Sequence, residues 1–193
     1  MSTPERLLLG FPESRDAARR VAERVGLPYA DVDVHRFPDG ESKLTLPPVG
    51  AGHVILYRSL DRPHDKLVEL LLASRALRRQ GVKRLSLVAP YLCYMRQDKA
   101  FAPGEIVSQP IIGGWLAEGF EDVITVDPHL HRISRLTEAV PARNAIGLSA
   151  APAFVEYLRR EAQGQSGLEP LLLGPDSESA QWVGGIASAA GLP

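Results

Sequence analysis

Short runs of branched apolar residues alternate along the chain with longer stretches in which apolar residues recur every three or four positions. That rhythm predicts strands and helices in turn, the pattern of an α/β fold built on a mostly parallel sheet flanked by helices. Residues 6–11 (RLLLGF) read as a first strand. A helix over 14–26 should follow: Ser14 suits an N-cap, Ala18, Val21 and Val25 share a face, and Gly26 suits the left-handed stop. Residues 30–36 (ADVDVHR) alternate polar and apolar as one half-buried strand, with 44–46 as a short neighbour before Pro47-Pro48.

The clearest βαβ unit comes next. A strand over 53–60 leads to Asp61 and Pro63, which suit a helix N-cap region and first turn. Leu67, Leu70, Leu71, Ser74 and Leu77 then form a helical face, closed by Arg78, Arg79 and Gly81. Residues 84–92 read as a strand covered on both faces, 107–119 as a helix and 122–127 as a further strand. Right-handed crossovers put the carboxyl ends of these strands along one edge. Near 141–147 the pattern loosens; beyond it, a helix from Ser149 to about 163, a loop over 164–167, a strand over 168–176 and a helix over 177–190 are expected. The chain thus divides into an α/β domain over 1–146 and, over 147–193, the opening part of a second, incomplete domain.

Composition narrows the class. The chain has 193 residues, 45% hydrophobic and 23% charged, which matches globular usage and argues against disorder. A formal charge of −1 leaves no basic excess of the kind that bulk nucleic-acid binding requires. Cys93 is the single cysteine, so neither an internal disulfide nor a thiolate zinc cluster can form, which favours a reducing compartment. No basic-then-apolar leader and no run of ~18 apolar residues occurs, so a cytoplasmic protein with no membrane span is expected.

Four segments carry candidate chemistry, three of them after predicted strands, where open α/β folds bind ligands. Residues 94–99 (YMRQDK) offer two cations, a planar amide and a carboxylate, suited to a polyphosphate, its metal shell and a base edge, although taken alone the run reads first as a solvated loop with an internal ion pair. Asp127 and His129, in 127–132 (DPHLHR), can both face a divalent ion or its waters, or Asp127 can cap a helix with His129 and His131 as polar residues facing solvent. Residues 174–179 (GPDSES) suit sugar hydroxyls or plain helix capping. In 36–41 (RFPDGE), Phe37 beside Asp39 and Glu41 can stack on and hydrogen-bond a purine, or the segment is a hairpin turn. Neither a Walker A sequence nor G-x-G-x-x-G is present, nor H-E-x-x-H or a nucleophile elbow. Cys93, between Leu92 and Tyr94 at a strand end, reads as packing.

Taken in order, residues 37–41 (FPDGE), 63–67 (PHDKL) with 69–71 (ELL), 94–99 (YMRQDK), 126–129 (VDPH) and 174–176 (GPD) resemble the ribose-phosphate diphosphokinase family, also called phosphoribosyl pyrophosphate synthetase, from about Leu8 onward. The resemblance implies a phosphoribosyltransferase-like fold and, with Mg²⁺, transfer of the diphosphoryl group of ATP to ribose 5-phosphate. It implies that Phe37 stacks on adenine while Asp39 and Glu41 bind its edge in a neighbouring subunit's site, hence a homo-oligomer. It also implies that Arg96 and Gln97 contact ATP in a loop shaped by Asp98 and Lys99. His129 would act at the phosphates and metal with support from Asp127, and Asp176 at the ribose hydroxyls and a second metal. Two departures stand out. Pro128 replaces a hydrophobic residue and the residues after His129 differ, which marks a divergent branch. The mobile Lys/Arg loop and the acidic Thr/Gly-rich 5-phosphate loop of the family are not found before Pro193, so the 193-residue chain alone is expected to be inactive. Intact Arg96, Gln97 and His129 argue against a non-catalytic regulatory subunit of such an enzyme. The absent acidic phosphoribosyl loop argues against a related phosphoribosyltransferase.

Overall fold

The computed structural model describes residues 5–50, 52–164, 171–175 and 179–192. It divides into two compact units, Met1–Leu148 and Ser149–Pro193. In the first, β1 (Arg6–Gly10), β2 (Tyr29–Asp31), β5 (His53–Tyr57), β6 (Arg84–Val88), β7 (Asp122–Val126) and β8 (Asn144–Leu148) form one sheet, ordered β2-β1-β5-β6-β7-β8. Every pairing in it is parallel. A separate antiparallel hairpin joins β3 (Asp33–Arg36) and β4 (Ser42–Thr45).

Helices cover both faces, which is why the central strands are almost continuously apolar. Leu8 of β1 packs with Ala18 and Ala22 of α1 (Arg15–Val25). Leu7 and Leu9 join the opposite cluster, with Leu70 and Leu77 of α2 (Pro63–Arg79) and Leu116 of α3 (Ser108–Gly119). Each buried leucine contributes roughly 1.5–3 kcal/mol. Helix α1 ends as expected, on Gly26 with φ 66°. Ser14 is not its side-chain cap; its hydroxyl instead accepts the backbone N–H of Ser59 at 3.2 Å, tying the carboxyl ends of β1 and β5 together.

Several elements differ from the expectation. The strand over 30–36 breaks at Val32, which is fully buried and donates its N–H to Gly10 O, so its two halves serve different sheets. Alternation alone cannot show such a break, because both halves keep period two. Helix α2 starts at Pro63 behind Arg62, with φ 49°; Asp61 pairs with Lys66 and does not cap. Its inner face includes Lys66 and Glu69 besides the leucines. Between β7 and the second unit, α4 (Leu136–Ala139) and the edge strand β8 appear, neither of which the pattern announces. In the second unit, α5 (Ala151–Gly164) and α6 (Ala180–Ala190) are helical. Of the strand expected over 168–176, the described residues 171–175 form none, and Leu171 and Leu173 are 77% and 90% exposed. A strand needs a neighbouring ladder, and none of the described residues of this unit supplies one.

Candidate functional site

Chain order reverses between β1 and β5, the switch point where an open α/β sheet usually leaves a ligand crevice. Here that position is filled from within. Arg58, directly after β5 and 1% exposed, lies with its guanidinium 4.0 Å from the Phe11 ring centre. It donates to Glu13 (2.6 Å), to Lys66 O (3.2 Å) and to buried Glu69. Lys66 in turn donates to Ser59 O and Asp61, at 2.8 and 2.9 Å. A buried charge persists only when paired this fully.

The polar loops gather one step along the edge, after β6 and β7. The segment following β6 is pinned from both sides. Leu60 N–H donates to Tyr91 O, while Leu92, Cys93 and Met95 are buried. Gln109, 6% exposed near the start of α3, donates its side-chain amide to Met95 O (3.1 Å) and its backbone N–H to Gln97 O (3.2 Å). Tyr94 takes φ 60°, and its hydroxyl is 2.9 Å from His64 Nε2 beside a cavity of about 320 Å³ also bordered by Arg62 and Tyr91. Burial pushes the Cys93 thiol up to about 12, which makes it a packing residue rather than a nucleophile.

The loop after β7 begins at Asp127, with φ 41° and its N–H donated to Leu148 O at 2.8 Å. Pro128 lies against β8, where a β-carbon on Gly147 would sit 3.3 Å from the Pro128 ring; glycine leaves room for the proline. His129 and His131 are exposed and meet edge to face, ring centres 3.9 Å apart. Arg62, Tyr94 and Asp127 are the non-glycine residues with positive φ among those described, and all three follow carboxyl strand ends. Such strain clusters where backbone geometry serves a ligand or a switch.

One ion pair joins the two loops. Arg132 Nη1 donates to both oxygens of Asp98, at 2.7 and 2.8 Å, and the Asp98 carboxylate is only 4% exposed. Arg132, foremost by this hydrogen bond, holds the Asp98 carboxyl below its ordinary range against the opposing effect of burial. Arg96 stays exposed, Gln97 donates to Lys99 O, and Lys99 Nζ lies 4.6 Å from the Phe101 ring centre. The structure thus brings 96–99 and 127–132 together. The 37–41 turn belongs to the β3–β4 hairpin. Phe37 and Glu41 pair through the backbone at 2.8 Å, Gly40 supplies φ 93°, and the Asp39 carboxylate accepts Glu41 N–H. Phe37 is 41% exposed, its edge against His35, so it is not a core residue. Asp176 lies outside the described residues.

Among the described residues, no group of three or more His, Cys, Asp or Glu side chains is arranged to hold a metal ion. Mg²⁺ does not demand one, since it keeps several waters and takes one or two carboxylates with phosphate oxygens. The exposed carboxylate of Asp127, two residues from His129, fits that chemistry.

Gln109 stands outside every motif, Glu69 enters only within the 69–71 (ELL) marker with no role of its own, and Arg132 has none either. Only an unexplained polar residue on the inner face of a helix signalled the first two.

A parallel sheet whose adjoining strand ends carry a clamped cation–amide–carboxylate loop and an Asp/His loop defines an α/β protein of the ligand-at-the-carboxyl-edge class. Residues 7–118 match the family described as the N-terminal domain of ribose phosphate pyrophosphokinase, and the chain belongs to that family. It is 32% identical over 187 residues to a ribose-phosphate pyrophosphokinase of Methanopyrus kandleri, covering 96% of this chain and 62% of the relative. It is 30% identical over 185 residues to one of Halobacterium salinarum, covering 96% and 63%. The fold is that of the phosphoribosylpyrophosphate synthetase from Mycobacterium smegmatis, with TM-score 0.77 and 19% identity over 98% of this chain and 63% of that one. The chain therefore spans a little under two thirds of the length of these relatives.

Proposed function

We propose that this chain carries the ATP-binding part of a ribose-phosphate diphosphokinase, which converts ATP and ribose 5-phosphate to 5-phosphoribosyl 1-diphosphate and AMP. The observation that carries this reading is the Asp98–Arg132 clamp, which holds the Arg96–Lys99 loop beside the loop of Asp127 and His129 at one edge of the sheet. Family membership over residues 7–118 supplies the reaction class.

In this scheme the 1-hydroxyl oxygen of the sugar bonds to the β-phosphorus of ATP. The bond from that phosphorus to the α,β-bridging oxygen breaks, AMP leaves, and the hydroxyl proton passes late to solvent. Such transfers depend on charge neutralisation and in-line placement more than on a strong base. Arg96 and Lys99 neutralise phosphate oxygens and Gln97 orients the nucleotide. Phe37 stacks on adenine, with Asp39 and Glu41 accepting from its amino group; the exposed turn reaches a neighbouring subunit's site in a homo-oligomer. Asp127 and His129 hold Mg²⁺ or its waters, and Asp176 meets the ribose hydroxyls and a second ion. When bound, Mg²⁺ supplies further neutralisation of the triphosphate.

The test is calorimetric titration of Mg·ATP into the protein and into Arg96→Ala. Binding by the parent, weakened at least tenfold in the variant, is expected. Failure of the parent to bind Mg·ATP at millimolar concentration overturns the reading.

A further inference from the structure

The 37–41 turn is exposed; the hairpin below it packs Val34 and Leu44 against the core, and the rung that flanks the turn is fastened by one buried side chain. Glu69 of α2 is fully buried. Its Oε1 accepts from Ser42 Oγ at 2.6 Å and lies 3.2 Å from Arg36 Nη2, while its Oε2 accepts from Arg58. Arg36 and Ser42 face each other as the last rung of the β3–β4 ladder, immediately flanking the turn. Arg36 is further held by Asp65 at 2.6 Å, also on α2. A two-stranded hairpin has little stability of its own, and this one pairs with no strand of the six-stranded sheet. Its position therefore depends on what ties it down.

We propose that Glu69 is a positioning residue for nucleotide binding. It locks the hairpin's last rung to Arg58 and so fixes where Phe37, Asp39 and Glu41 present themselves. The inference rests on the proposed role of that turn. Held at its base, the turn meets adenine without first losing hairpin freedom; released, the same side chains must be ordered by the ligand, and affinity falls.

Replacing Glu69 itself would strand Arg58 in the core, so the decisive variant is Arg36→Met/Ser42→Ala. It frees the hairpin's last rung, with Val34 and Leu44 still packed on the core, and leaves the Glu69–Arg58 pair in place. Two readouts are needed, amide hydrogen exchange and calorimetric affinity for Mg·ATP. We expect exchange at 37–41 to speed up by at least about tenfold with the amides of the six-stranded sheet unchanged, and Mg·ATP to bind about tenfold more weakly. Ser42→Thr, which keeps the hydroxyl, should behave as the parent. Parent-like exchange at 37–41 overturns the anchor, as does faster exchange spread evenly through the sheet. A loosened turn with unchanged affinity overturns the positioning role. A parent that binds no Mg·ATP defeats the functional reading instead, and the exchange pattern still decides the anchor.

Discussion

Replacing Arg132 by methionine keeps the apolar stem of the side chain and removes the group that joins the two loops. Arg132 Nη1 sits 2.7 and 2.8 Å from the Asp98 oxygens, and the carboxylate is 4% exposed while Arg132 is 47% exposed. A hydrogen bond to a charged partner is worth about 1.5–3 kcal/mol. Arginine's exposure places this one near the lower figure. If loop order is coupled to binding, about 1.5 kcal/mol translates into roughly tenfold weaker Mg·ATP binding, read by calorimetry. Arg132→Lys, which restores one donor, should recover part of the loss. The pH dependence has a definite sign. In the parent the Asp98 carboxyl is held below its ordinary range, so the pair's contribution is present above the unfolded value of ~3.9 and is lost only as pH falls through the lower folded value. In the variant the foremost lowering influence is gone and only the Asp98 backbone hydrogen bond and His131 still oppose burial, so the deficit in stability should be largest at neutral pH and shrink on acidification. Equal affinity and equal melting temperature at neutral pH would refute the coupling, and so would a deficit that ignores pH.

Further expectations concern the scaffold and the chemistry. Asp122, 6% exposed on its side chain, accepts from Arg84 (2.8 Å twice), Ser86 (2.5 Å) and Asn144 (2.6 Å), joining β6, β7 and β8. Arg84 first, with Ser86 and Asn144, holds its carboxyl far below the ordinary range, so this stability exists above ~3.9 and fades as pH falls through the folded value. Asp122→Asn should therefore cost about 2 kcal/mol and lower the calorimetric melting temperature by roughly 4–8 °C near neutral pH. Cys93 should resist an aromatic disulfide reagent at neutral pH until the protein is unfolded, because burial leaves only a trace of thiolate; rapid labelling of native protein would contradict that.

How far the residues announced this structure depends on what signal each part carried. The central strands β1, β5, β6 and β7 were legible because a strand covered on both faces must be apolar throughout. Strand β8 was not, since an edge strand needs little apolar surface; Ile146 and Leu148 are 45% and 51% exposed. The break at Val32 escaped because the polar–apolar alternation runs unchanged through it. Charged residues read as surface by default, so Arg58, Lys66 and Glu69 inside the fold left no trace in the pattern. The same default hid the clamp: Asp98 and Arg132 are 34 positions apart, and only the adjacency of β6 and β7 brings them together. The candidate loops were recognisable as segments, whereas the contacts that orient them are tertiary.

Where nucleotide meets the sheet is the decisive question for this protein. Mg·ATP titrated into isotopically labelled protein, followed by proton–nitrogen NMR, reports that position residue by residue. Shifts should concentrate at 94–99, 127–132 and 37–41, with the amino ends of the parallel strands unmoved. Shifts centred on those amino ends, or a saturated titration that leaves Arg96 and His129 undisturbed, would contradict that placement.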